Sequence, residues 1–191
     1  GYELWFGAAK SLRRFAVITL GAGVGYGLVA GGEIVQDDDT GLGLVGHWPL
    51  DPFGPVCPAG HRGCARSVLT TDAIVAAASG ALGRDVSPAE VMRLAEAGDP
   101  AARRVVDDAA RGLGRLIAAV ANLTSPQLVV IGGEGVALAT VGADAVQEGI
   151  GIDRDPRTRP VTIVTTSGDD TDWCRGAAAM AIQEYVAPSR R

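Results

Sequence analysis

Two short apolar runs near the start of the chain read as strands. "RFAVITLG" and "GYGLVAGGEIVQ" flank a glycine-rich turn, and "AGGE" makes a further turn. Two or three strands are expected from Phe15 to Val35, the first two near 15–20 and 24–30. After residue 66 the period lengthens to that of helices. "SVLTTDAIVAAASGALG" (67–83) reads as one Ala-rich helix stopped by Gly83, and "SPAE" at 87–90 is a capping box with proline at the first helical position. Asp99-Pro100 repeats that start signal. Val106, Ala109, Leu113, Ile117 and Val120 then form a continuous stripe, which predicts a long helix near 101–123 that Pro126 bars from continuing.

"QLVVIGGEG" (127–135) and "PVTIVTTSG" (160–168) read as strands near 128–132 and 161–165, with a helix over "VALATVGADAVQEGI" (136–150) between them. "YELWFGAAKSL" (2–12) has the spacing of a helix end. "DDTDWCRGAAAMAIQEYV" (169–186) reads as a closing helix that starts among acidic residues, as the helix dipole favours, with Cys174 a buried structural thiol. Strands, loop, helices, strand, helix, strand, helix is an α/β order, a sheet covered by helices, and one domain over 1–191 is expected.

Composition narrows the function classes. A net charge of −5 with basic residues scattered, apart from Arg13-Arg14 and Arg103-Arg104, excludes a phosphate-gripping surface, so no nucleic-acid contact by this chain is expected. No apolar run is long enough for a membrane span, and no secretion signal is present, so a cytoplasmic location is expected. Three cysteines do not make a disulfide framework. The chain starts at Gly1 and is expected to be a fragment or a processed product.

Candidate chemistry lies in three places. "LGAGVGYG" (20–27) superficially resembles a dinucleotide fingerprint, but its last glycine is absent and an apolar run follows it instead of a helix. A hairpin turn fits better. Such a turn either presents its N–H groups to an anion, through Gly21, Gly23 and Gly25, or simply turns. "VVIGGEG" (129–135) delivers Gly132 and Gly133 at the carboxyl end of a strand, where α/β sheets bind ligands; taken alone, it reads better as a plain strand-to-helix turn. The third place is the irregular segment 36–66, which includes "GHWPLDPFGPVCPAGHRGC" (46–64). His47, Cys57 and Cys64 have the side chains zinc prefers, spaced H-x9-C-x6-C, with His61 or water as the fourth ligand. A metal-free loop is the alternative.

Together these motifs resemble the ROK family (repressors, open reading frames and sugar kinases) over nearly the whole chain. The resemblance implies an actin-like ATPase fold of the ribonuclease H-like, hexokinase type, mostly its second lobe. "LGAGVGYG" is similar to the family's second phosphate loop, "VVIGGEG" to its adenosine-side glycine motif, and the 46–64 stretch to its zinc loop. His47 would then serve both metal and sugar.

The departures bear on activity. Leu44 stands where the family has a sugar-binding glutamate, Ala59 where it has a zinc cysteine, Ala22 where it has a phosphate-loop threonine, and Arg66 where it often has a glutamate. The family's catalytic aspartate motif falls upstream of Gly1. A sugar- or sugar-phosphate-sensing effector domain of a transcriptional regulator is therefore expected, with ATP not expected as a cofactor. The competing readings are a fragment of an ATP-dependent sugar kinase and a degenerate assembly domain. Because family members commonly pair, a homodimer is expected.

Overall fold

The computed structural model describes residues 1–36, 38–39, 43–166 and 170–185. Five strands form one mixed sheet in the order β3-β2-β1-β4-β5, with β1 Phe15–Leu20, β2 Val24–Ala30, β3 Glu33–Val35, β4 Leu128–Gly132 and β5 Ile163–Thr165. The first three strands run as an antiparallel meander. β4 and β5 then join parallel to β1, with Phe15 opposite Leu128 and Thr19 opposite Gly132. β1 and β4 are almost wholly buried, which explains why they read as continuous apolar runs.

The helices are α1 (Tyr2–Trp5), α2 (Ala65–Leu69), α3 (Thr71–Leu82), α4 (Pro88–Glu96), α5 (Pro100–Thr124), α6 (Ala137–Val141), α7 (Ala143–Asp153) and α8 (Asp170–Tyr185). α5 carries the core: Val106, Leu113 and Ile117 are fully buried, in one cluster with Ile18, Leu20, Val129 and Ile131 of the sheet. It starts at Asp99, whose side chain accepts from the N–H groups of Ala101 and Ala102, and ends at Ser125 in the left-handed region. At α4, Ser87 accepts from the Glu90 N–H as a capping residue, while the Glu90 carboxylate turns to Arg84 at 2.8 Å. α7 lies against α5 so closely that a Cβ on Gly149 would come 2.1 Å from the Arg111 carbonyl oxygen. A Cβ on Gly114 would come 2.1 Å from that of Val146.

Several expectations are corrected. The 2–12 helix stops at Trp5, and beyond it the Glu3 carboxylate accepts from the backbone at Ala8 and Ala9. The 67–83 helix is two helices: Thr70 is extended and caps α3 by accepting from the Ala73 N–H at 3.3 Å. The 136–150 helix breaks at Gly142, where a Cβ would come 2.4 Å from that of Ala110 on α5. The last strand begins at Ile163. Cys174 is exposed, on a helix that presents Trp173 and Cys174 to solvent. The irregular segment ends at Cys64, since α2 starts at Ala65. Residues 37 and 40–42 of that segment, 167–168 of the expected last strand, and 169 and 186 of the expected closing helix lie outside the described residues. No helix among the described residues is long and apolar enough to cross a membrane.

Candidate functional site

Parallel pairing of β1 and β4 sets their carboxyl ends side by side and brings the two glycine turns together. Leu20 pairs with Val24, so Gly21-Ala22-Gly23 is a hairpin turn, and a strand follows it. The Gly135 N–H donates to the Leu20 carbonyl at 2.9 Å and links the turns directly. The Thr71 N–H, at the start of α3, donates to the Gly21 carbonyl at 2.9 Å and fixes the hairpin from the other side.

The glycines here serve different ends. Gly133 has φ +91, and a Cβ there would come 2.3 Å from the Leu20 carbonyl oxygen; one on Gly25 would come 2.3 Å from Thr19 Oγ1. The fold demands both. Gly23 has an ordinary φ, and a Cβ there would meet nothing within 4 Å. Packing gives no reason for glycine at 23, and its backbone stands open to close approach. Gly25, Gly132 and Gly133 line a cleft of about 470 Å³ between the sheet and α1/α8, together with Thr19 and Thr166. Thr166 and Glu134, which lies beside Gly21, come from separate chain segments; both fall inside quoted stretches, but the sequence reading singled out neither.

His47 ends a 3₁₀ turn (Leu44–His47) that packs on β2, with Gly46 buried near the Val24 carbonyl oxygen. It stands beside the hairpin but does not line the cleft. Leu44, at the other end of that turn, is 67% exposed. From Pro49 to Cys64 the chain doubles back on itself. Pro49 bridges Cys64 and Val56 bridges Arg62, the Leu50 and Asp51 N–H groups donate to the Gly63 carbonyl, and Gly63 donates to Pro55. Arg115 of α5 donates to the Leu50 carbonyl and pairs with Asp153 at 2.8 Å. Main-chain bonding and this anchor therefore hold much of the loop.

At the tip of the doubled chain, side chains converge. One ligand atom each of His47, Cys57 and Cys64 lie within 4.8 Å of one another. Cys57 Sγ is 3.7 Å and Cys64 Sγ 3.9 Å from His47 Nδ1. His61 Nδ1 is 3.6 Å from Cys57 Sγ and 3.1 Å from His47 Nδ1. Both cysteines are buried, away from the main core. Burial pushes the Cys57 thiol up, but hydrogen bonds with the His61 ring, the backbone at His61 and Ala59, and Cys64 outweigh it and lower it to about 6. The thiolate is the form that binds metal. Two soft sulfurs and an imidazole at these separations fit zinc.

The sequence model of the ROK family matches residues 2–184. The chain belongs to the ROK family. Among ROK-type relatives, it is 39% identical to the N-acetylmannosamine kinase of Escherichia fergusonii over 127 residues, which is 66% of this chain and 43% of that protein. It superposes on the ROK hexokinase of Thermus thermophilus with a TM-score of 0.82 at 28% identity, covering 96% of this chain and 61% of the hexokinase. A ROK-family transcriptional regulator, a homologue of the E. coli MLC protein, gives a TM-score of 0.81 at 26% identity, covering 93% of this chain and 48% of the regulator. The chain thus spans less than half the length of the curated relatives it matches. The fold is that of the actin-like ATPases, as the family resemblance implies.

Proposed function

We propose that this chain is the carboxyl-terminal, sugar-responsive lobe of a ROK protein, and that it senses a sugar and does not phosphorylate it. The observation that carries the reading is Leu44, exposed on the same turn as His47. It occupies the place of the family's sugar-binding glutamate and cannot accept a hydroxyl hydrogen bond. At so exposed a position, where water can take the hydroxyl, loss of one such hydrogen bond costs about 0.5–1.5 kcal/mol of binding. A sensor working at high sugar concentration tolerates that loss. Phosphoryl transfer does not, because its catalysis is almost entirely positioning and charge stabilisation. Ala22 in the hairpin turn also leaves no hydroxyl for a phosphate; the Gly21 N–H is taken by the Gly23 carbonyl at 3.1 Å, which leaves the backbone at Gly23, Gly25, Gly132 and Gly133 to meet an anion.

A structural zinc on His47, Cys57 and Cys64 is part of the same proposal. It would pin the loop that carries His47. A cytoplasmic location and pairing of two copies go with this reading.

Phosphorylation of a sugar is the second reading, favoured by the 39% identity to an N-acetylmannosamine kinase. Calorimetric titration with glucose, mannose and N-acetylmannosamine, beside a coupled ATP-consumption assay, tests both. Sugar binding without turnover is expected. Turnover with any of the three sugars would establish the kinase reading, and absence of all binding would remove both.

A further inference from the structure

We infer that His61 is the fourth ligand of the metal site, so that the site is a two-thiolate, two-imidazole centre with no water ligand. The inference rests on the zinc reading above and concerns how this chain manages with Ala59.

Tetrahedral zinc with Zn–S of about 2.3 Å and Zn–N of about 2.0–2.1 Å requires sulfur–nitrogen edges near 3.6 Å and a nitrogen–nitrogen edge near 3.3 Å. Three of the four sulfur–nitrogen separations are 3.6, 3.7 and 3.9 Å, and the nitrogen–nitrogen separation is 3.1 Å; His61 joins the mutually close group of His47, Cys57 and Cys64 through His47 and Cys57. His61 therefore stands from His47 and from Cys57 as a ligand would. It presents Nδ1 to both, and His47 likewise presents Nδ1 to its three neighbours. The two imidazole rings are tilted by 45° with centroids 4.5 Å apart, so neither ring blocks the point their nitrogens share.

Without a cation, this convergence wastes most of its donors and acceptors. A neutral imidazole offers a single acceptor nitrogen, and thiols are weak partners. A cation between His47, Cys57 and Cys64 engages two sulfurs and a nitrogen together, and His61, beside two of these residues, is placed to complete its shell.

The backbone explains how His61 reaches the site. The Cys57 N–H donates to the His61 carbonyl at 2.8 Å, and the Gly60 N–H donates to the Cys57 carbonyl at 2.8 Å. These two bonds close a tight turn over Pro58-Ala59-Gly60, with Gly60 at φ +89. The turn folds residue 61 back beside residue 57. A ligand at 61 can thus replace one at 59 with no rearrangement of the strands of the loop.

The charge of the centre changes with the substitution. Two thiolates balance Zn²⁺, whereas three leave the centre with a net negative charge. A neutral centre repels an approaching anion less, which suits a site beside a glycine turn able to meet one.

X-ray absorption at the zinc edge on the purified, unaltered chain gives the coordination directly, alongside total zinc by mass spectrometry. One zinc per chain with two sulfurs and two imidazoles supports the inference. His61→Ala should weaken zinc binding at least about 100-fold, beyond what loss of an outer hydrogen-bond partner brings. In an Ala59→Cys background, where a third thiolate supplies the fourth ligand, His61→Ala should leave the affinity unchanged. Zinc with two sulfurs, one imidazole and an oxygen overturns the inference and leaves the structural zinc intact. So does an equal cost of His61→Ala in both backgrounds, which makes His61 an outer partner. A chain that binds no zinc at all overturns both.

Discussion

The α5–α7 contact and the Gly46–Cys64 loop both depend on glycine, in opposite ways. Where the helices cross, Gly114 and Gly149 have ordinary helical backbone, and their value is the missing side chain, which lets the two backbones touch. In the loop, Gly60 and Gly63 take φ of +89 and +54, a backbone that other residues avoid, and Gly63 in addition leaves no room for a side chain beside Asp51. The first contact draws on the buried core of the domain. The second has no such core of its own: Leu50 reaches the main cluster, while Phe53 and Val56 stand exposed. Damage to the first should therefore unfold the protein, and damage to the second should stay local.

The strongest way to break the first region is Gly149→Val. Its Cβ meets the Arg111 carbonyl oxygen, both helices are forced apart, and a loss of about 3 kcal/mol or more is expected. In a chain of this length that lowers the melting temperature by about 6–12 °C, read by circular dichroism. A melting point unchanged by this substitution would contradict the close crossing.

Gly63→Ala is the matching test in the loop. A Cβ there would lie 1.6 Å from the Asp51 carbonyl oxygen, in a left-handed backbone that itself costs about 1–2 kcal/mol. The expected result is loss of zinc and fast proteolysis between residues 51 and 63, with the helical circular-dichroism signal retained. Cys57→Ser, or a strong chelator, should produce the same local opening without the backbone strain. Global unfolding in either case would show that the loop and the helical core are one cooperative unit.

How far these regions were legible in the sequence follows from their physics. β1, β2 and β4 were placed by apolar runs, and α5 by its stripe and the Asp99-Pro100 start, because burial on a sheet or one helical face leaves a periodic trace. The breaks at Thr70 and Gly142 were missed because Ala-rich sequence is helical in any context, and the interruptions come from a side-chain cap and from contact with Ala110. The exposure of Cys174 was missed for a related reason: which face of α8 is covered depends on its neighbours. In the Gly46–Cys64 loop, residue type and clustering pointed to His47, Cys57 and Cys64, which the structure brings together. The proposal of His61 over water needed the turn that folds it back onto Cys57.

Smaller effects sharpen the contrast. Asp99→Ala removes two capping bonds from α5 and should cost about 1 kcal/mol, a fall of about 2–4 °C in melting temperature. Cys174→Ser should change stability by less than about 0.5 kcal/mol. A thiol reagent should label Cys174 at once in the zinc-loaded protein, and Cys57 and Cys64 only after chelation. Rapid labelling of all three before chelation would count against the metal.

His47 turns Nδ1 toward the sulfurs and leaves Nε2 facing away from them. A cation on Nδ1 fixes the tautomer, and the ring's one proton must then sit on Nε2. Seen from outside the loop, His47 becomes an obligatory donor, suited to an ether or hydroxyl oxygen and closed to a hydrogen-bond donor. If zinc and a sugar both bind as proposed, they address one ring from its two ends, and each would raise or lower the other's affinity by the same factor.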